Sequence, residues 1–186
     1  EQSLKQERIK VDAPFQMPEI SIPNFDQAPR FNIIDFGAVE GNKERISEAI
    51  AQAITAANKQ GGTVLVPAGT WITKRKHLKS NVNLHLAKGA TLLFSGQPED
   101  YLPAVWSSWE GLECYNYSPL IYAFEAKNVA ISGEGELRAE MDTWKKWFPR
   151  PQAHMESIKR LYNWAQDELP VAQRNMVNDT SNLRPQ

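Results

Sequence analysis

Two sets of side chains in this sequence are spaced so that they could do chemistry: paired carboxylates and a run of aromatics. Glu99 and Asp100 stand together in "QPEDYLP", and Glu134 and Glu136 flank Gly135. Two carboxylates held at a suitable separation can act as general acid and general base on one bond. Neighbouring residues on a strand point to opposite faces, so Glu99 and Asp100 would not converge, whereas Glu134 and Glu136 can share a face. Charged residues mostly sit in water, and solvated loop or corner carboxylates are the simpler reading of both pairs.

The aromatic run is "VWSSWEGLECYNY", with Trp106, Trp109, Tyr115 and Tyr117 in a segment that reads as loop. Flat aromatic faces suit the C–H surfaces of sugars, and Glu110 or Asn116 could bind hydroxyls. Trp109, Glu110, Tyr115 and Asn116 are therefore the candidate binding residues. The competing reading is that these aromatics pack the segment onto its neighbours, the usual work of buried Trp and Tyr. Trp144, Trp147 and Trp164 read as packing residues in the same way.

Other chemistries are missing from the pattern. His77, His85 and His154 have no metal-ligand spacing and no cysteine cluster beside them, so neither a metal nor a cofactor is expected. No glycine-rich phosphate loop followed by Lys-Ser or Lys-Thr occurs. "TKRKHLK", Thr73 to Lys79, is the one dense basic run. A solvated loop or strand edge accounts for it, with a polyanion site as the alternative.

The elements that must position these groups are short. The chain has 186 residues, 41% hydrophobic and 10% aromatic, enough for a sizeable core. Its 21 Lys and Arg nearly balance its 22 Asp and Glu, so no nucleic-acid partner is expected. No apolar run approaches the ~20 residues of a membrane span. The lone Cys114 excludes an internal disulfide and reads as a small buried hydrophobe.

Residues 1–30 carry Pro14, Pro18, Pro23 and Pro29 and read as an extended leader. "FNIIDFGA", Phe31 to Ala38, reads as a short strand ending at Gly37. Ile46, Ala49, Ile50, Ala53, Ile54 and Ala57 lie on one face of a helix that Asn42 caps and Gly61-Gly62 stop. From Thr63 to about residue 140 short β runs alternate with Gly and Pro. "DTWKKWFPRPQ" then leads, within a helical insertion over 141–186, to a helix over roughly Met155 to Glu168, with Ile158, Leu161, Tyr162 and Ala165 on one face.

"NVNLHLAKGATLLF", Asn81 to Phe94, poses the architectural question. Read locally it is a hairpin with Lys88-Gly89 at the turn, although Lys-Gly is a poor match to the favoured two-residue turns. Read with its neighbours it is two strands of one coil. Val64 and Leu84 are 20 residues apart, as are Ile72 and Leu92, and Asn81-Val82 and Asn128-Val129 open similar phrases. A repeat of that length points to a solenoid. A parallel β-helix whose open end the first helix covers competes here with a mixed α+β sandwich.

The order of phrases resembles glycoside hydrolase family 28, the polygalacturonase-like pectinases. "FNIIDFGA", "AIAQAI", "GGTVLVPAGTW", "HLKSNVNLHLAKGATLLFS", "EDYLP", "YSPLIYAFEAKNVAISGEGEL" and "DTWKKWF" follow family order from Phe31 to about Phe148. The opening departs from the family, with "EGNKERISEAI" in place of its acidic Gly-Asp-Gly stretch. The resemblance implies an all-β fold: a right-handed parallel β-helix with an N-terminal capping α-helix over 31–140 and a helical insertion near the C-terminal end. It implies inverting hydrolysis of galacturonic-acid-containing bonds, one carboxylic acid protonating the leaving oxygen and a second carboxylate activating water. It covers polygalacturonases, exo-galacturonidases and rhamnogalacturonan hydrolases alike. The expected partners are a pectic polysaccharide or oligogalacturonide, and the rest of the same enzyme or a second copy over the open end of the β-helix. The expected location is periplasmic or secreted.

The family's catalytic aspartates stand in Asn-Thr-Asp and Asp-Asp phrases, followed by Gly-His-Gly and Arg-Ile-Lys. None of the four occurs here, and the Asn-Asp-Thr at Asn178 to Thr180 has the wrong order. The catalytic residues are therefore expected downstream, with this chain the N-terminal part of the enzyme and inactive alone. A non-catalytic β-helix module, carbohydrate-binding or structural, is the alternative.

Overall fold

The computed structural model describes residues 4–146 and 148–177; Trp147 and the Asn178–Thr180 phrase lie outside the described residues. In chain order the strands are β1 (Lys5–Ile9), β2 (Ile20–Asn24), β3 (Arg30–Asn32), β4 (Gly62–Val66), β5 (Gly69–Thr73), β6 (Lys76–His77), β7 (Val82–Leu86), β8 (Ala90–Phe94), β9 (Val105–Trp109), β10 (Leu112–Asn116), β11 (Ile121–Tyr122), β12 (Val129–Gly133) and β13 (Glu136–Ala139). The helices are α1 (Lys43–Gln60), α2 (Asp142–Lys145) and α3 (Gln152–Gln166). The chain divides into two compact units. One holds the described residues through Leu93 with Ala123–Arg138, the other Phe94–Tyr122 with those from Ala139 onward.

In the first unit α1 begins where the sequence predicts. The Asn42 side chain accepts the Arg45 N–H at 3.1 Å, satisfying one orphan donor of the first turn. Gly61, at φ 76°, takes the C-cap. The six apolar residues read from the sequence, Ile46, Ala49, Ile50, Ala53, Ile54 and Ala57, are the buried ones. Burial of a whole Ile side chain contributes about 1.5–3 kcal/mol, so this face ties α1 to the strands beside it.

Those strands form parallel layers. One sheet runs β12-β7-β4-β3, the other β13-β8-β5. Gly62, Val64 and Val66 of β4 register with Val82, Leu84 and Leu86 of β7. Val82 and Leu84 in turn register with Val129 and Ile131 of β12. A parallel pair needs a crossover between its strands, and here the crossovers run through the second sheet. β4 with β5, β7 with β8 and β12 with β13 are thus successive coils. β7 and β8 lie in different sheets, which excludes the hairpin reading of "NVNLHLAKGATLLF". Val64, Val66, Leu84, Leu86, Ala90 and Leu92 fill the interior.

One corner of the coils is built by stacking. Gly61, Asn81 and Asn128 precede the three registered strands, and all are left-handed, at φ 76°, 64° and 56°. Gly62 N–H donates to Asn81 O at 3.0 Å, and Asn81 N–H to Lys127 O at 2.9 Å. Asn tolerates this conformation better than other non-glycine residues. On the outward face of the first sheet, Asn83 Nδ2 donates to Thr63 Oγ1 at 3.3 Å and Ser132 Oγ to Asn83 Oδ1 at 2.9 Å. His85 faces outward as expected, its Nδ1 2.8 Å from Ser132 Oγ.

Four local expectations are corrected in this unit. "FNIIDFGA" is a strand only to Asn32; Ile33–Phe36 is a 3₁₀ turn because the Asn32 side chain accepts the Ile34 N–H and bends the chain. The leader is not simply extended: β1 and β2 pair antiparallel from Lys5↔Asn24 to Ile9↔Ile20. Ile72 is half-buried between buried Trp71 and Thr73, whereas Leu92 is fully buried, so the second 20-residue offset does not join equivalent positions. The basic run is not uniformly solvated, for Lys76 is 3% exposed.

The second unit packs Cys114, Leu161 and Met176 with Trp109, Leu112 and Trp164. α3 starts directly after Pro151 and ends at Gln166. Its buried face is His154, Ser157 and Leu161, while Tyr162 is 46% exposed. The sequence reading placed the face on Ile158, Leu161, Tyr162 and Ala165; it gave no weight to polar residues that lie inside. A 3₁₀ turn at Pro98–Tyr101 tucks Tyr101 fully inside, its hydroxyl donating to Ser95 O. It carries Asp100 in with it, at 8% exposure, against the expectation of a solvated carboxylate.

Candidate functional site

The aromatic segment is not a loop. β9 and β10 form an antiparallel hairpin, Trp109↔Leu112 next to the turn and Val105↔Asn116 at the far end. Glu110 and Gly111 make the two-residue turn, at φ 46° and 89°. Left-handed geometry at both positions matches the twist of the flanking strands, and Gly111 supplies it without strain.

Pairing sorts the side chains by face. Trp109, Leu112, Ser107, Cys114, Val105 and Asn116 share one side, and Trp106, Tyr115, Ser108 and Glu113 the other. Cys114 is fully buried, so the first side is the core side. Trp109 meets His154 edge-to-face, ring centroids 5.4 Å apart. Asn116 is 1% exposed, and its Oδ1 accepts the Tyr117 N–H at 2.8 Å. Burial pushes the Cys114 thiol up to about 11, with Arg174 pulling weakly the other way, so it is no nucleophile at neutral pH.

On the other side Trp106 and Tyr115 are a cross-strand pair, both half-buried. Tyr122 joins them, its hydroxyl donating to Trp106 O at 2.8 Å. Burial and then the nearby Tyr115 raise the Tyr122 hydroxyl above its ordinary pKa. The far edge of β10 is held: Tyr115 N–H donates to Arg174 O and Met176 N–H to Tyr115 O, each at 2.8 Å. At the tip, exposed Glu110 accepts the Tyr162 hydroxyl at 2.9 Å. That bond, and then the Glu110 charge, raise the Tyr162 pKa.

The four residues singled out in the sequence therefore do not converge. Trp109 and Asn116 face the core, Tyr115 faces away, and Glu110 stands at the turn. The sequence reading missed that Trp106, not Trp109, partners Tyr115, and that Tyr122 belongs with them. A two-residue Glu-Gly turn flanked by equal runs was the signal that could have shown it.

Neither carboxylate pair forms an acid–base site. Glu134 and Glu136 are exposed, and Glu99 is exposed beside buried Asp100. Among the described residues no group of three or more His, Cys, Asp or Glu is placed to hold a metal ion, and no helix is long and apolar enough to cross a membrane. What the hairpin offers is non-covalent: aromatic faces and a hydrogen-bonding tip.

No protein-family model matches the chain. It is 31% identical over 123 residues to an exo-poly-alpha-D-galacturonosidase of Dickeya chrysanthemi, covering 62% of this chain and 20% of that protein. It superposes on the crystal structure of a hyperthermoactive exopolygalacturonase from Thermotoga maritima with a TM-score of 0.76 and 38% identity, over 88% of this chain and 38% of that one. A family 28 exopolygalacturonase from Yersinia enterocolitica aligns with a TM-score of 0.54 and 31% identity, over 64% of this chain and 22% of that one. The chain thus spans well under half the length of each of these proteins.

Proposed function

We propose that this relative of the family 28 exopolygalacturonases is the N-terminal portion of a pectin-degrading glycoside hydrolase that releases galacturonic-acid units from chain ends. The observation that carries the reading is the 38% identity and 0.76 TM-score to the Thermotoga exopolygalacturonase over 88% of the chain. The phrases from Phe31 to Phe148 and the parallel sheets support it. The coils are the start of a right-handed parallel β-helix, and α1 closes its first end, where open strand edges and core need cover.

The chemistry is inverting hydrolysis. One carboxylic acid gives its proton to the leaving glycosidic oxygen; a second carboxylate takes a proton from the water that attacks the opposite face of the sugar. No group in this chain plays either part, and the two aspartates belong to Asn-Thr-Asp and Asp-Asp phrases in later coils. This chain contributes the scaffold and the β9–β10 hairpin, whose Trp106 and Tyr115 faces suit a sugar ring. Because the substrate is a polymer outside the cell, the enzyme is periplasmic or secreted.

The test is to extend the coding sequence downstream and assay the whole polypeptide on polygalacturonate. Early release of short galacturonides with little loss of viscosity is expected, with the activity abolished by Asp→Asn in the Asn-Thr-Asp phrase. A folded full-length protein that hydrolyses no pectic substrate would leave a non-catalytic β-helix module as the better reading.

A further inference from the structure

Attachment to α1 accounts for part of the basic run and leaves Arg75 and His77 to be explained. Lys74, Arg75, Lys76, His77 and Lys79 place five basic side chains in six positions. β6 sorts them by alternation. Lys76 and Leu78 turn inward, at 3% and 2% exposure, while Arg75 is half-buried and His77 and Lys79 are exposed. Lys76 Nζ donates to Ser47 O of α1 at 3.2 Å, Lys74 pairs with Glu44 at 2.5 Å, and Lys79 Nζ donates to Thr55 Oγ1 at 3.2 Å.

The effects on Arg75 and His77 run one way. Burial lowers Arg75. Burial first, then Arg75 and Lys79, lower His77. Beneath them, burial and then Arg75 and Lys74 bring Lys76 down to about 7. Holding like charges close together costs stability, and Arg75 and Lys79 keep two positive charges near the surface although Glu44 offsets that of Lys74. Fully extended at roughly 3.3 Å per residue, Arg75 to Lys79 would reach about 13 Å, longer than one sugar ring.

We infer that Arg75, His77 and Lys79 form a binding row for the carboxylates of an acidic oligosaccharide, an oligouronide. The inference rests on the pectinase reading for the choice of a uronide over other anions. Arg75 suits a carboxylate because its planar fork matches the two oxygens. His77 can bond a ring hydroxyl, and Lys79 adds a point charge for a second carboxylate.

Titration of the full-length polypeptide with trigalacturonate, its methyl ester and inorganic phosphate decides the matter. We expect Arg75→Gln to weaken trigalacturonate binding about tenfold and His77→Gln several-fold, with the ester unaffected, the wild-type affinity falling as salt rises, and Lys59→Gln on α1 inert. His77 is exposed, so its variant should fold even where Arg75→Gln does not. Wild-type affinity in folded Arg75→Gln and His77→Gln would overturn the inference, as would phosphate competing as well as the trimer at equal concentration. Polygalacturonate hydrolysis separates the two readings. Activity with an unchanged KM in both variants sinks the row and spares the pectinase; binding that depends on Arg75 without hydrolysis does the reverse.

Discussion

Asn128 lies directly above Asn81, its Nδ2 donating to Asn81 Oδ1 at 2.9 Å, and both backbones are left-handed. The bond joins equivalent corners of successive coils, so it reports whether the stack is held at its edges as well as in its core. Asn128→Ala loses this bond and the exposed one its Oδ1 accepts from Gln6 Nε2 at 3.3 Å, together worth about 1 kcal/mol. It also leaves a Cβ in a conformation costing roughly 1 kcal/mol more. We expect a loss of about 2 kcal/mol, against about 1 kcal/mol for Asn128→Gly, which relieves the strain. Urea unfolding compares them; equal stability of the two variants would mean the left-handed corner carries no strain.

Gly133, at φ 105° in β12, is the tightest glycine position in the coils. A Cβ there would lie 1.9 Å from the Leu86 carbonyl oxygen, which has no room to move within the sheet. Gly89, at φ 80°, would meet only the Ala68 Cβ at 3.5 Å. Gly89→Ala should therefore cost about 1 kcal/mol, the backbone penalty alone. Gly133→Ala should cost at least ~3 kcal/mol, because strand and carbonyl must shift. Thermal melts of the pair separate strain from collision; similar losses would refute the distinction.

Lys76 makes stability depend on pH. Its ammonium is lowered in the folded state to about 7, chiefly by burial, from an ordinary value of 10.5. Between those values the unfolded chain binds a proton that the folded chain does not. Stability therefore rises with pH across that window, by up to ~1.4 kcal/mol per unit, and is lowest below pH 7. Lys76→Met, which keeps the stem and removes the charge, should be the more stable protein at pH 7 and should flatten the slope between pH 7 and 10. Denaturant midpoints at pH 7, 8.5 and 10 check the sign. An unchanged slope in the variant would place the effect on another group.

The coils were legible because the chain repeats itself at the points that matter. Val64 and Leu84, and Val82 and Val129, carry the phrases that become registered pairs. α1 was legible to the residue, because capping and periodicity agreed. The hairpin was not, because Trp, Tyr and Asn sit equally well in a loop or a strand; only the pairing divides them by face. The buried face of α3 was missed for a related reason, since His154 and Ser157 are polar by type and internal by position. Asp100 was likewise carried inside by Tyr101, a choice made by packing.

Trp109 and Trp106, three residues apart on β9, should answer substitution in opposite ways. Trp109 packs against Cys114, Leu161 and Met176 and lies edge-on to His154. Removing it opens a cavity in a cluster that joins hairpin and helix, and Trp→Ala in such a place costs about 3–5 kcal/mol. Trp106 faces away, paired with Tyr115, and only part of its surface is buried. Its truncation should cost about 1–2 kcal/mol in stability. If its ring stacks on sugar, KM for oligogalacturonide in the full-length enzyme should rise several-fold with kcat little changed, since a contact made equally to substrate and transition state acts on KM. Melting curves and initial rates on both variants settle the assignment. A stable Trp109→Ala with a raised KM would return the binding role to the core-side residue and remove it from the outer face.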